Sequence, residues 1–481
     1  MASMPSVQGV LAVRARRLRA THWRGAGDMR PRSRRFPGGF DDAKTVRRLL
    51  SFAAPDASVS RLLFGNRTFL AVWGTGALVG IVRWLQFLAL GIHTFEITGS
   101  PLLVSLIPLL WMLPLALCGP FVGVFADRSD RKLLVLVSLT IALLFSLAMA
   151  VAAARLSFGF WPVALASFVG GMLWATDIPV RRRLLGDVTK AEDLAPAMSL
   201  DSAASSSTRM LGPVLGGVVL EWFSLSGVFI LSTALFAICV VAIASIPSAK
   251  DARKLRVRGG HFFGELMSGF RFVIEDARLR WIFSITIVFN LWGFPFTSMI
   301  PVVGADILGL GPALIGLLSS GEGLGAFIGA IALALFARPR QFAVIYHFGT
   351  AIYLLLIGIL GLICLSFSAG AEDETGTLAS FLVAMMILLA IGLAGACFSA
   401  MQSALSYLNA PAEYRSRILG ALTLCIGTGP IGFLHIGWLA ENFGPSIAFL
   451  INAAEGLLAL SILRRLSGGA PASMALFGAP R

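Results

Sequence analysis

Residues 101–154 read PLLVSLIPLLWMLPLALCGPFVGVFADRSDRKLLVLVSLTIALLFSLAMAVAAA. An apolar run at 101–125 meets a charged loop, and a second apolar run follows at 133–154. At about 1.5 Å per residue, each run is long enough as a helix to cross ~30 Å of hydrocarbon. No water is present there to satisfy backbone N–H and C=O groups, so a spanning segment is either a helix or part of a closed barrel. Barrel strands alternate apolar and polar residues, and these runs do not. The stretch therefore predicts a helical hairpin through a membrane, with its charged loop at one surface.

The same reading extends outward. The 481 residues are 57% hydrophobic and 13% charged, too apolar for a disordered chain or an ordinary soluble enzyme. Twelve apolar spans are expected. Six lie near 68–95, 101–125, 133–154, 158–178, 196–221 and 225–247, and six near 281–306, 312–337, 342–367, 378–402, 418–441 and 446–464. Residues 248–280 divide the two sets. They carry the basic run Lys250–Arg258, then Phe263, Leu266, Met267, Phe270, Val273 and Ile274 at one-face helical spacing, which predicts an interfacial amphipathic helix. The expected organisation is a basic tail at 1–61, a six-helix bundle at 62–247, the linker at 248–280, a second bundle at 281–465 and a short tail at 466–481.

Charge sets the topology. Arg and Lys fall at alternate connections: Arg128, Arg131 and Lys132; Arg181, Arg183 and Lys190; 250–280; Arg338 and Arg340; Arg415 and Arg417; Arg464 and Arg465. The other connections hold Arg155 and the acids Glu96, Glu221, Asp306, Glu372, Asp373, Glu374 and Glu441. The positive-inside rule then predicts a cytoplasmic location for the basic set and both termini. The halves also echo each other. Gly212-Pro213, Gly216, Gly217 and Glu221-Trp222-Phe223 in span five parallel Gly429-Pro430, Gly432, Gly437-Trp438 and Glu441-Asn442-Phe443 in span eleven. That predicts a parallel six-plus-six repeat, whose interface is where transporters keep midplane sites. Recurrence of Gly-Pro in Gly-rich membrane helices is the alternative.

The net charge of +14 is unevenly placed: residues 1–61 hold 13 Lys and Arg against 4 Asp, which leaves +9 in the tail. An aromatic-poor basic arm ahead of a membrane bundle suits anionic lipid headgroups better than nucleic acid. It reads as a basic extension, with Met29 an alternative start, or as a mitochondrial transit segment; it lacks the apolar core of a secretory signal. Cys118, Cys239, Cys364, Cys397 and Cys425 all fall inside apolar runs, none in a CxxC pair, and predict neither a disulfide framework nor a metal site. His347 and His435 stand alone on different spans. There is no P-loop and no Ser-His-Asp or metal-ligand cluster, so neither an ATP-driven step nor hydrolysis is expected, and no cofactor.

Charges inside the spans are the candidates for function, because each costs about 2.5–3.5 kcal/mol at a helix centre on insertion scales and needs a partner or water. Arg83 lies midway along span one, Arg209 along span five and Glu322 along span eight. Gly76, Gly80, Arg83 and Gln86 share one helical face; Asp201, Ser205, Thr208 and Arg209 share another; Ser319, Glu322, Gly325 and Gly329 share a third. These stripes predict a central cavity in which Arg83 and Arg209 attract an anionic group and Glu322 takes up protons. The alternative is a structural ion pair, Arg209 with Asp201 or Glu322. Asp177 and Asp201 are expected near water at the cytoplasmic helix ends, suited to gating or proton exit. Asn290, Pro295 and Pro301 suit either a flexible gate or a packed kink, and Glu455 with Asn452 a pairing within the bundle.

One segment is more specific. Gly123-Val-Phe-Ala-Asp127-Arg128-Ser-Asp130-Arg131-Lys132 resembles the loop 2–3 signature of the major facilitator superfamily, G-x-x-x-D-R-x-x-R-[RK], at every position. Pro179-Val-Arg181, Leu185-Gly-Asp187, Glu192-Asp193-Leu194, Arg209-x-x-Gly212-Pro213-x-x-Gly216-Gly217, Gly269-Phe270-Arg271-Phe272-Val273 and Arg415-Ser-Arg417 resemble the branch containing enterobactin exporters and macrolide efflux proteins. The resemblance spans roughly 62–465. It implies an all-α fold of twelve transmembrane helices in two six-helix pseudo-repeats. It also implies proton-coupled export of a small organic molecule from a bacterial cytoplasmic membrane, by a protein able to work as a monomer. It gives Asp127, Arg128 and Arg131 the role of locking the cytoplasmic ends of the halves, beside Gly123 and Lys132. Gly212-Pro213 resembles the tail of the antiporter motif, whose upstream glycines are Ser199 and Thr208 here. Uncoupled uptake and a non-transporting membrane sensor or scaffold are the competing classes.

Overall fold

A computed structural model describes residues 63–128, 130–155, 158–190, 193–247, 262–367, 374–411 and 414–466. The basic tail, the run Lys250–Arg258, Glu372 and Asp373, and the tail beyond Leu466 lie outside these, as do the side chains of 118–129.

Every regular element among the described residues is helical. Helix α1, Arg67–Thr98, starts where the Asn66 side chain accepts from the amides of Thr68 and Phe69, and ends at Gly99 in the left-handed region. Helices α2 (Pro101–Arg128), α3 (Arg131–Arg155) and α4 (Phe160–Asp187) follow. Helix α5, Leu194–Ala244, is 51 residues long and breaks at Ser224, φ 57° and ψ −172°, into two limbs. Arg182 of α4 reaches Asp201 near the start of the first limb, and Lys132 reaches the carbonyls of Ala244 and Ile246 after the second. With Arg131 paired to Asp187, both ends of α5 lie beside the same basic loops, so its limbs run antiparallel.

Helix α6, Phe262–Glu275, is the amphipathic linker. Its Gly269 packs on the Arg417 backbone and its Phe272 stacks on Tyr414, while Met267, Phe270 and Ile274 stay exposed. Then come α7 (Ala277–Ile307), α8 (Pro312–Phe336), α9 (Phe342–Phe367) and α10 (Glu374–Asn409). Helix α11 is in two pieces, Arg415–Ile426 and Gly429–Phe443, and α12 is Pro445–Leu466.

Among the described residues, ten helices are long and apolar enough to cross a membrane; α5 supplies two crossings, and α2 adds another, which makes the twelve expected. On α3, Leu133, Val137, Ile141, Leu144, Leu147 and Val151 form an exposed apolar stripe, a surface suited to lipid rather than water. Small residues bring backbones together inside the bundle. Gly216 lies against Leu85 of α1, where a Cβ would sit 3.1 Å from the Leu85 Cα, and Gly392 of α10 lies against Ala326 and Glu322 of α8. Among the described residues the halves meet along the first limb of α5 with α8, α2 with α11 and with α7, and α1 with α7 at Gly91 and Pro301.

Candidate functional site

The centre of the bundle holds one ion pair across the halves. Arg209, on the first limb of α5, donates from Nη2 to Oε1 of Glu322 on α8 at 2.7 Å, with Glu322 only 5% exposed. Glycine makes the approach possible: Gly323 fits against the Arg209 backbone, where a Cβ would stand 2.7 Å from its carbonyl oxygen. The Arg209 guanidinium also lies over Trp84 of α1 at 5.2 Å and over Phe294 of α7 at 5.8 Å. One side chain of the first half is thus clasped by a carboxylate and a ring of the second. Near Glu322, the buried hydroxyl of Tyr353 has no hydrogen-bond partner among the described residues.

A second charge cluster lies wholly inside the first half. Arg181 donates from Nε to Asp177 at 2.8 Å and from Nη1 to Asp201 at 2.7 Å, while Arg182 donates to the other Asp201 oxygen at 3.0 Å. Arg83 approaches Asp177 at 3.5 Å. Gly76 leaves the room that the Arg181 guanidinium fills, and Gly80 faces Thr208. The stripe read on α1 is therefore a seat for neighbouring helices as well as a polar face. Between the two clusters run aromatic rings. Trp111 of α2 stacks on Trp174 of α4 at 4.3 Å, Trp84 and Phe87 flank Trp111, and Arg83 lies over Trp174 at 5.7 Å.

The charges expected to line one central cavity fall into two clusters. Arg83 and Arg209 serve separate clusters, and Asp201 belongs with Arg181. Asp201 and Arg209 are eight residues apart, about 12 Å along a helix, too far for the alternative ion pair between them. Nor does water reach Asp177 and Asp201: both are buried, because arginines from α4 and α1 cover them. Gln86 donates to Ser232 of the second limb of α5 at 2.9 Å and, with Arg83, Ser146 and Trp174, lines a cavity inside the first bundle.

Of the loop motif, α2 carries Gly123, Asp127 and Arg128 to its end, and their side chains lie outside the described part. Arg131 binds Asp187 and Lys132 binds carbonyls of 244 and 246, all partners within the first half. In the Gly-Pro element, Gly212 and Gly216 pack on α1, while Pro213 and Gly217 pack on α8 around Gly316. Glu455 accepts from Trp292 at 2.9 Å and pairs with His435 at 2.7 Å, and Asn452 donates to the Trp292 carbonyl. The Trp84, Trp111 and Trp174 wall escaped the sequence reading, since aromatic residues on three separate helices carry no shared spacing. No group of His, Cys, Asp and Glu able to hold a metal occurs among the described residues.

The comparisons agree with this architecture. Over 390 residues the chain is 22% identical to macrolide efflux protein A of Streptococcus pyogenes, covering 80% of this chain and 92% of that one. It is 25% identical over 384 residues to the MFS-type transporter YfiS of Bacillus subtilis (strain 168), covering 76% and 85%. Among solved structures, a bacterial homologue of the human lysosomal transporter Spinster, inward-facing and unoccupied, superposes with a TM-score of 0.58 at 14% identity, covering 85% of this chain and 96% of that one. The model of the Major Facilitator Superfamily matches residues 72–372, so the chain belongs to that superfamily and is a multi-pass bacterial membrane transporter.

Proposed function

We propose that this transporter exports a small organic molecule in exchange for protons, by rocking residues 62–247 against 281–465, with both termini in the cytoplasm. The carrying observation is the Arg209–Glu322 pair, a charge pair shared between the two halves at the middle of the bundle. A proton on Glu322 removes its charge and with it the clasp on Arg209; loss of that proton restores the clasp. Protonation is thereby tied to how firmly the halves hold each other. The aromatic wall supplies flat apolar surface beside this pair and suits an amphipathic ligand of the macrolide or siderophore kind. Similarity to macrolide efflux protein A supports outward transport of such a molecule.

The seams support one further part of this reading. Close approaches between the halves run from mid-bundle, at Met112 and Gly429, to the end bearing Glu221 and Glu441. Toward the basic end, Ser202 and Ser205 of α5 are exposed polar residues. We read the conformation as open to the basic, cytoplasmic side. The test is substrate-linked proton movement in reconstituted vesicles, with a macrolide and a siderophore, for wild type and Glu322→Gln. Loss of proton flux in the variant is the expected result. Equal flux in both removes Glu322 from the proton path, and substrate flux without proton movement makes the protein an uncoupled facilitator.

A further inference from the structure

At the end of the bundle away from the basic loops, two carboxylates do the same job in opposite directions. Glu221, near the end of the first limb of α5, accepts from the amide of Ala313 at 2.8 Å. Glu441, near the end of α11, accepts from the amide of Leu102 at 3.1 Å and from the Ser100 hydroxyl at 2.8 Å. Ala313 and Leu102 are each the second residue of a helix whose first residue is proline, Pro312 of α8 and Pro101 of α2. Proline brings no N–H, so the following amide is the first orphan donor of its helix. Neither helix caps that donor from its own flank. Gly311 has no side chain, and the Ser100 hydroxyl accepts from Leu103 at 3.2 Å instead. Each carboxylate also meets the positive end of the helix dipole.

The register around both contacts is the same. Four residues before each glutamate stands a glycine, and four residues after each proline stands a small residue. Gly217 lies on Gly316, where a Cβ would meet its Cα at 3.0 Å; Gly437 lies on Ser105, where a Cβ would come within 3.3 Å of the Leu102 Cα. The first limb of α5 and α11 are equivalent positions of the repeat, as are α2 and α8. Two independent contacts thus obey one pseudo-twofold rule, and each joins one half to the other.

We propose that Glu221 and Glu441 are a matched pair of latches that hold this end of the transporter shut, each by capping the first free amide of a helix in the opposite half. Opening this end requires both caps to release, and the glycine–small-residue contacts beneath them separate with them. What the latches control rests on the rocking motion proposed above; the caps themselves do not.

Hydrogen–deuterium exchange of the full chain in lipid nanodiscs tests this without any substrate. Losing a helix cap of ordinary strength corresponds to about fivefold faster exchange at the amides it protects. Glu221→Ala is expected to speed exchange at the start of α8 by about that factor and leave the start of α2 unchanged. Glu441→Ala is expected to do the reverse, and the double variant to speed both by more than either single change does. Glu→Gln at either position keeps an acceptor oxygen and should restore most of the protection, which a misfolded variant would not. Unchanged exchange at the opposite helix, or a uniform rise through the bundle that Gln fails to reverse, overturns the proposal. If the latches behave as expected while no substrate is ever moved, the transport reading fails and the latches stand.

Discussion

Arg209 and Glu322 illustrate how far single residues could be read in advance. Their cost in a membrane marked both as needing partners, and one of the two pairings open to Arg209 is the one the structure forms. Spacing along α5 sets Asp201 eight residues, about 12 Å, from Arg209 and disfavours that pairing; that Glu322 is the partner depended on which helix faces Arg209. Breaking a buried pair by removing one member costs about 3–5 kcal/mol, because the other charge is left uncompensated. Arg209→Ala and Glu322→Ala should therefore each lower the thermal unfolding midpoint in detergent, and the double variant should lose less than the sum. An additive result would show that the two side chains do not couple. In the first half, Gly76 has the same standing for the Asp177–Arg181–Asp201 cluster. A side chain there displaces the Arg181 guanidinium, so Gly76→Val should unfold at a lower temperature than wild type, and Gly74→Val, with open space around it, should not.

At the scale of elements, α7 departs most from a simple apolar span. Its backbone passes from an α-helix into a π segment at Phe289–Gly293, a 3-10 segment at Phe294–Met299 and a second π segment at Val303–Ile307. Pro295 and Pro301 forecast irregularity, since each removes a helical N–H. They do not forecast how it is held. Trp292 is fixed through its indole to Glu455 and through its carbonyl to Asn452, both on α12. Against the kink lies Gly432 of α11, where a Cβ would stand 2.6 Å from Pro295 and 2.7 Å from the Asn290 carbonyl oxygen. Overpacking of this kind costs about 1–3 kcal/mol. Gly432→Ala should lower the unfolding midpoint, and an unchanged midpoint would mean that α11 and α7 separate freely. Helix α5 shows the opposite case: Ser224 breaks it where the two expected spans divide, because a chain of 51 residues outruns the bilayer and has to turn back.

For the whole molecule, the seam of Gly217 on Gly316 is the place to intervene. A large side chain there keeps the glutamate-bearing ends of the halves apart while leaving each bundle intact. Gly217→Leu should abolish substrate movement in vesicles yet retain wild-type helical content by circular dichroism; retained movement would show that this seam need not close. Membrane class, helix number and the two-half repeat all follow from the sequence, because each rests on a local quantity: the length of an apolar run, or the recurrence of Gly-Pro and Glu-x-Phe. The resemblance to the superfamily was similarly legible in one ten-residue motif. What tertiary structure alone decided is which charges meet. It gave Arg209 to Glu322 and Asp201 to Arg181, and it turned the echo of Glu221 and Glu441 into reciprocal caps. Those outcomes depend on the rotation and approach of helices set by glycine contacts across the bundle, a geometry that periodicity along any single helix does not contain.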